Sequence, residues 1–257
     1  MLPGTGIVLT RPIDQARGIA QKIEALGGHA IHFPALEILE HTPAPQSAAA
    51  LNAADIAIFI SANAVEFGLR YADGCLPTHT RLAAIGKATA QALVDRGFQN
   101  IIVPAQGADS EALLGTAALR EVTDKHIVIF RGVGGRETLR TTLCQRGAKV
   151  AYIECYTRRQ PEVAPREIAE LLQRNDLAAI HVLSRETLEN FCHITGSQGR
   201  QRFSRTPLFV PHPAVLEAAR IGADLGPLGF GDIVVTGFGD DGLITALEQR
   251  FPSAQQS

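Results

Sequence analysis

Short apolar runs rich in β-branched residues recur along this chain, each followed by a polar or Gly/Pro turn and then by apolar residues at helical spacing. Ile7-Val8-Leu9 leads into Thr10-Arg11 and a helix-period segment. The same order returns at Ile127-Val128-Ile129-Phe130-Arg131, with Gly27 and Gly147 in matching register. Three further units keep the match. Ala57 to Val65 aligns with Ile180 to Leu188, which sets Ser61 opposite Ser184. Leu82 to Leu93 aligns with Leu208 to Ala219, where His212-Pro213 stands in place of Gly86-Lys87, and Asn100 to Val103 aligns with Asp232 to Val235. The pattern predicts an internal duplication with four βα units per copy. Strands apolar on both faces that alternate with helices predict mostly parallel sheets covered by helices, with right-handed crossovers.

Composition adds limits rather than detail. At 257 residues and 46% apolar, the chain has room for two domains of about 100–150 residues, each with its own core. A net charge of −2 gives no electrostatic footprint for nucleic acid or for an anionic membrane. The opening Met1-Leu2-Pro3-Gly4 lacks a basic region followed by an apolar core, and no run approaches the ~20 apolar residues of a membrane span. The expectation is a soluble cytoplasmic protein. Cys75, Cys144, Cys155 and Cys192 show no C-x-x-C spacing and are expected to be free, mostly buried thiols. Among the eight histidines, His29 and His32 come closest to metal spacing, but residues three apart on a strand face opposite ways. No metal site is expected, and the histidines are read as loop and surface residues.

Three phosphate-type patterns nearly form. Gly237-Phe238-Gly239-Asp240-Asp241-Gly242 follows a strand, yet two aspartates stand where a pyrophosphate would lie. Arg131-Gly132-Val133-Gly134-Gly135-Arg136 is the better anion cradle, but Glu137 takes the third glycine position. Around Gly86-Lys87 the P-loop pattern breaks at Arg81 and at Ala88. No nucleotide cofactor is expected. What survives is a set of strand-to-helix turns offering backbone N–H groups at helix N-termini: Thr10-Arg11, Ser61-Ala62-Asn63, Gly86-Lys87, Arg131-Gly132, Ser184-Arg185 and Thr236-Gly237. Such turns bind carboxylates as readily as phosphates, and two facing lobes would bring them to one cleft. The competing reading is that Ser, Thr and Asn there only cap their helices.

Several of these residues together resemble the uroporphyrinogen-III synthase family nearly end to end. The resemblance rests on Leu9-Thr10-Arg11-Pro12, Phe59-Ile60-Ser61-Ala62-Asn63-Ala64-Val65, Ala84-Ile85-Gly86-Lys87-Ala88-Thr89-Ala90, Arg131-Gly132 with Gly134-Gly135-Arg136, Ile153-Glu154-Cys155-Tyr156-Thr157-Arg158 and Val182-Leu183-Ser184. It implies a fold of two similar flavodoxin-like α/β lobes with mostly parallel sheets, joined by a two-stranded connector. Periodicity alone cuts the chain near residue 120. The resemblance instead implies one discontinuous lobe from 1–34 plus 160–257, an inserted lobe over 41–152, and connector strands at 35–40 and 153–159.

The implied chemistry is a cofactor-free cyclising lyase. Hydroxymethylbilane, a linear tetrapyrrole with eight carboxylates, loses its hydroxyl and closes to uroporphyrinogen III through a spiro intermediate that inverts the terminal ring, on the route to heme, siroheme and cobalamin. Tyr156 is implied as the residue that assists departure of the hydroxyl. The substrate-binding set expected is Arg11, Ser61, Ala62, Asn63, Gly86, Lys87, Arg131, Gly132, Arg136, Ser184, Arg185, His212 and Thr236. The turn Val210-Pro211-His212-Pro213 departs from the family's pattern, since proline removes N–H donors there and leaves His212 as the substitute. A monomer is expected, with transient contact to the preceding pathway enzyme. The rival reading is a two-lobed, non-catalytic binding protein for a small anionic ligand.

Overall fold

A computed structural model describes residues 2–215, 230–237 and 239–252. The end of the helix-period segment expected over 216–219 lies outside the described residues, as does Phe238 of the Gly237–Gly242 pattern. The chain divides into two compact units, Met1–Glu37 with Arg159–Ser257, and Ile38–Arg158. The cut at residue 120 suggested by periodicity therefore falls inside the second unit.

In the first unit, strands β1 (Gly6–Leu9), β2 (His29–His32), β8 (Leu177–His181), β9 (Leu208–Val210) and β10 (Ile233–Val235) form one sheet in the order β10-β9-β8-β1-β2. Its β1–β2, β1–β8, β8–β9 and β9–β10 pairings are parallel. Alternation along the strands divides the core between the two faces. Val8, Ile180, Leu208 and Val210 pack with Phe191 and Phe203 of helix α8 (Arg185–Phe203), which breaks at Gly196. Ile7, Leu9, Ala179 and Phe209 meet Ile19 and Ile23 of α1 (Ile13–Ala25) and Leu243 and Leu247 of α9 (Asp240–Arg250).

In the second unit, β3 (Glu37–Glu40), β4 (Ile56–Phe59), β5 (Arg81–Ala84), β6 (His126–Gly132) and β7 (Lys149–Arg159) run in the order β3-β7-β6-β4-β5, and an isolated bridge joins Ala83 to Ile102 beyond β5. Phe59 and Phe130 stack with centroids 4.5 Å apart on one face, beneath α3 (Ala62–Tyr71), while Ile56, Ile58, Ile127 and Ile129 fill the other. Matching the repeats strand for strand gives β2-β1-β8-β9-β10 against β7-β6-β4-β5 and the bridge, the same flavodoxin-type order twice. Gly27 and Gly147 do the same work in both copies. Each follows its helix at positive φ, +83° and +85°, where a side chain would be strained. No described helix is long and apolar enough to cross a membrane.

The copies differ at the ladder between the first and second strands of each repeat. β6 pairs with β7 in regular parallel register from His126–Lys149 to Arg131–Glu154, and then Gly132 pairs with Tyr156. Cys155 is thus an extra residue, and the bulge reverses the alternation, so that Cys155 and Tyr156, adjacent in sequence, both join the core cluster beneath α3. The Tyr156 ring lies directly on Gly132, where a Cβ would stand 2.6 Å from Cε2 and 2.8 Å from Cζ.

Two expectations need correction. Cys155 and Cys192 are buried, and burial pushes both thiols up to about 12, but Cys75 and Cys144 are exposed because they sit at a loop and on the outer face of a helix. His181 is not a surface residue. It ends β8 at 3% exposure, and burial, followed by the nearby Arg11 guanidinium, lowers its pKa to about 3.

Two outcomes follow from this architecture. Folded His181 stays neutral down to about pH 3, whereas in the unfolded chain it takes a proton near 6.5, so stability is full above 6.5 and is lost as pH falls through that window. Each pH unit there is worth up to about 1.4 kcal/mol. His181→Gln should therefore show a shallower loss of stability between pH 6.5 and 4 in urea titrations, and a slope equal to wild type would refute the assignment. Gly132→Ala should cost roughly 1–3 kcal/mol by overpacking. It should also change near-UV circular dichroism, which in a chain without tryptophan reads its three tyrosines and its phenylalanines.

Candidate functional site

Tyr156 stands at the wall of a cavity of about 330 Å³ inside the second unit, at the carboxyl ends of β6 and β7. The loop Gly132–Arg136 forms one side, Tyr152, Tyr156 and Arg158 of β7 another, and Asp109-Ser110 at the start of α5 (Ser110–Leu114) a third. The phenol is held on several sides. Its ring faces Phe67 with centroids 5.9 Å apart, rests on Gly132, and places its hydroxyl 3.1 Å from Ser61 Oγ. Only 5% of Tyr156 is exposed. Ser61 is extended and caps α3, its Oγ accepting the Ala64 N–H at 3.0 Å.

The glycine-rich cradle after β6 already holds carboxylates of this chain. Arg131 is buried, ion-paired to Glu137 at 3.1 Å and 3.9 Å from Glu154, and its guanidinium lies 4.2 Å from the Tyr152 ring centroid. Glu154 Oε1 accepts the Gly134 N–H at 3.3 Å, and Glu137 Oε2 accepts the Tyr152 O–H at 2.9 Å. That bond, more than the Arg131 charge, lowers the Glu137 pKa below its usual value. Burial, with Glu137 second, pushes Tyr152 up to about 12. Glu137 therefore stays ionised and Tyr152 stays protonated at neutral pH. The network fixes the loop and leaves Arg136 exposed on the cavity wall, with no ion pair to any described residue.

The remaining expected residues are placed as follows. Ala62 and Asn63 open α3. Gly86 caps α4 (Lys87–Val94), and Lys87 is its exposed first residue, without an ion pair among the described residues. In the first unit, Arg11 is buried against Asp240 at 2.8 Å, with its Nη2 3.4 Å from His181 Nδ1. Arg185 pairs with Glu189 at 2.6 Å. Ser184 caps α8 through the Thr187 N–H and meets the Thr187 hydroxyl at 2.8 Å. His212 Nδ1 accepts the Ala214 N–H, and the Thr236 hydroxyl donates to carbonyls of Gly237 and Val210. Arg131, Gly132, Arg136 and Tyr156 thus line one cavity, and Ser61 joins them through the Tyr156 hydroxyl. Arg11, Ser184, Arg185, His212 and Thr236 each meet local partners of the first unit. Sequence reasoning missed Tyr152, Glu137, Glu154, Asp109 and Arg158. Positions 152 and 154 share a strand face, and that period of two was the available signal.

Known proteins resemble this chain in sequence and in fold. The family model described as uroporphyrinogen-III synthase HemD matches residues 18–224. The uroporphyrinogen-III synthase of Escherichia coli K12 is 32% identical over 250 residues, covering 94% of this chain and 99% of that protein. A uroporphyrinogen-III synthase from Synechococcus elongatus is 28% identical, with 96% of each chain covered. Among solved structures, the uroporphyrinogen-III synthetase of Helicobacter pylori 26695 superposes with a TM-score of 0.60 at 15% identity, covering 96% of this chain and 99% of its own. A mutant uroporphyrinogen III synthase from the extreme thermophile Thermus thermophilus gives 0.57 at 16%, covering 96% and 100%. These two likenesses show the fold, while the family model and the E. coli relative show the lineage: this chain belongs to the uroporphyrinogen-III synthase family.

Proposed function

We propose that Tyr156 and the loop beside it run, in this chain, the reaction of its family, the cyclisation of hydroxymethylbilane in tetrapyrrole biosynthesis. The observation that carries the reading is a tyrosine that lines the cavity, its ring held by Gly132 and Phe67 and its hydroxyl 3.1 Å from Ser61 Oγ, with the cation Arg136, unpaired among the described residues, on the same cavity. The carbon–oxygen bond of the hydroxymethyl group breaks with its electron pair on oxygen. The Tyr156 O–H gives that oxygen a proton, and water leaves. An azafulvene cation and a phenolate remain.

The terminal ring then attacks through its substituted carbon, passes through the spiro intermediate, fragments and recloses inverted. The proton released as the last pyrrole regains aromaticity returns to the phenolate. No redox or phosphoryl step is required. The larger part of the work is conformational, because in solution the unsubstituted carbon closes head to tail, and holding the pliable chain folded makes the substituted carbon the nearer nucleophile. Arg136 anchors one substrate carboxylate as an ion pair.

Pure protein supplied with enzymatically generated hydroxymethylbilane should give type III porphyrin in excess over type I after oxidation; type I alone from folded protein would end the reading in favour of a non-catalytic binding protein. Tyr156→Phe should lower kcat by at least about 100-fold with the fold intact. Wild-type turnover in that variant removes the tyrosine from the mechanism. Arg136→Gln should raise KM severalfold while kcat is nearly held, as expected for binding shared by ground and transition states.

A further inference from the structure

The duplication sets Ser61 opposite Ser184, and both cap a helix through a backbone N–H three residues on. Their second partners differ. The Ser184 hydroxyl turns to Thr187 within its own helix, whereas the Ser61 hydroxyl reaches the phenol oxygen of Tyr156, 95 residues away in sequence, at 3.1 Å. One lone pair of Ser61 Oγ is taken by the Ala64 N–H, which leaves its O–H and a second lone pair for the phenol, so that either oxygen of the pair can donate. With Ser61 donating, the phenol's own proton is not consumed internally and remains for a group in the cavity.

From this we infer that Ser61 is a positioning residue for Tyr156, one that donates to the phenol oxygen and stabilises it as its proton leaves, rather than a ligand for a substrate carboxylate. The inference rests on the reading of Tyr156 as proton donor. The chain of donors is ordered: the Ala64 N–H, at the positive end of the ten-residue α3, polarises Ser61 Oγ, whose hydrogen becomes a better donor. A phenolate accepts that hydrogen bond more strongly than a neutral phenol does. Ser61 therefore contributes more after proton transfer begins than before it, and an interaction of that kind acts on kcat rather than on KM. The Cys155 bulge and the absence of a side chain at Gly132 bring the phenol to this hydroxyl.

The test is a kinetic cycle on hydroxymethylbilane with Ser61→Ala, Tyr156→Phe and the double variant. Ser61→Ala should lower kcat roughly tenfold with KM within about twofold, Ser61→Thr should restore most of the loss, and Ser61→Ala added to Tyr156→Phe should change kcat by less than about twofold. Should Ser61→Ala fail to fold, Ser61→Gly keeps an acceptable helix cap without the hydroxyl and replaces it throughout. The proposal is overturned if loss of the hydroxyl raises KM and spares kcat, or lowers kcat by the same factor whether or not the tyrosine is present. Wild-type turnover by Tyr156→Phe instead sinks the tyrosine reading itself, whereas a slow Tyr156→Phe with a silent Ser61→Ala sinks only the role given to the serine.

Discussion

One extra residue in one strand decides where the phenol stands. In a regular parallel ladder, side chains two apart share a face, and Tyr156 would project with Tyr152 onto the isoleucine-lined side of the sheet. The bulge at Cys155 turns it to the opposite side, where Phe67, Gly132 and the Ser61 hydroxyl receive it. The strand's hydrogen bonding resumes at once, with the Val133 N–H donating to the Tyr156 carbonyl at 2.8 Å. Backbone on both sides of the irregularity is therefore pinned, and the ring has little freedom to choose another place.

The loop beside that ring is shaped by internal charge. Arg131 is buried under Tyr152 and takes Glu137 as its partner, while Glu154 occupies an amide of the glycine turn. A buried guanidinium without a carboxylate would be costly, so these acids make the arginine tolerable and in doing so fix the loop. The equivalent arginine of the other copy repeats the arrangement with different chain segments: Arg11 is buried and paired with Asp240 in the first turn of α9. Of the four arginines that the sequence offered as substrate cations, Arg11, Arg131 and Arg185 are thus paired within their own units. The cations left over, Lys87 and Arg136, are exposed residues at or just before the start of a helix, where a bound carboxylate also feels the helix dipole.

Much of the fold was legible because it depends on local, periodic features. β-branched runs, helical spacing and the paired Gly27 and Gly147 are each visible within a short window, and the order and spacing of short motifs carried the family. The site was legible only at its ends. Tyr156, Gly132 and Ser61 could be named, but their mutual contact depends on a bulge, and nothing in Glu154-Cys155-Tyr156 announces that two neighbours will face the same way. His181 was misread for a related reason: a histidine ending an apolar strand looks like a turn residue until the neighbouring strands bury it. Ion pairs that join positions 11 and 240, or contacts that join 61 and 156, have no signature in a single chain.

The duplication also explains why the chemistry need not be shared equally. In the copy register Tyr156 corresponds to Leu36, a buried residue of the first unit, and the β1–β2 ladder runs from Gly6–His29 to Leu9–His32 without a shift. The ladder irregularity of that unit lies instead at the opening of β1 against β8, far along the strand from its carboxyl end. An unbroken ladder keeps alternation intact. A leucine in place of a phenol leaves the matching serine, Ser184, to close on its own helix. Two copies of one architecture can thus keep the same strand order, the same arginine and the same capping serine, while a single inserted residue and one phenol set the second copy apart from the first.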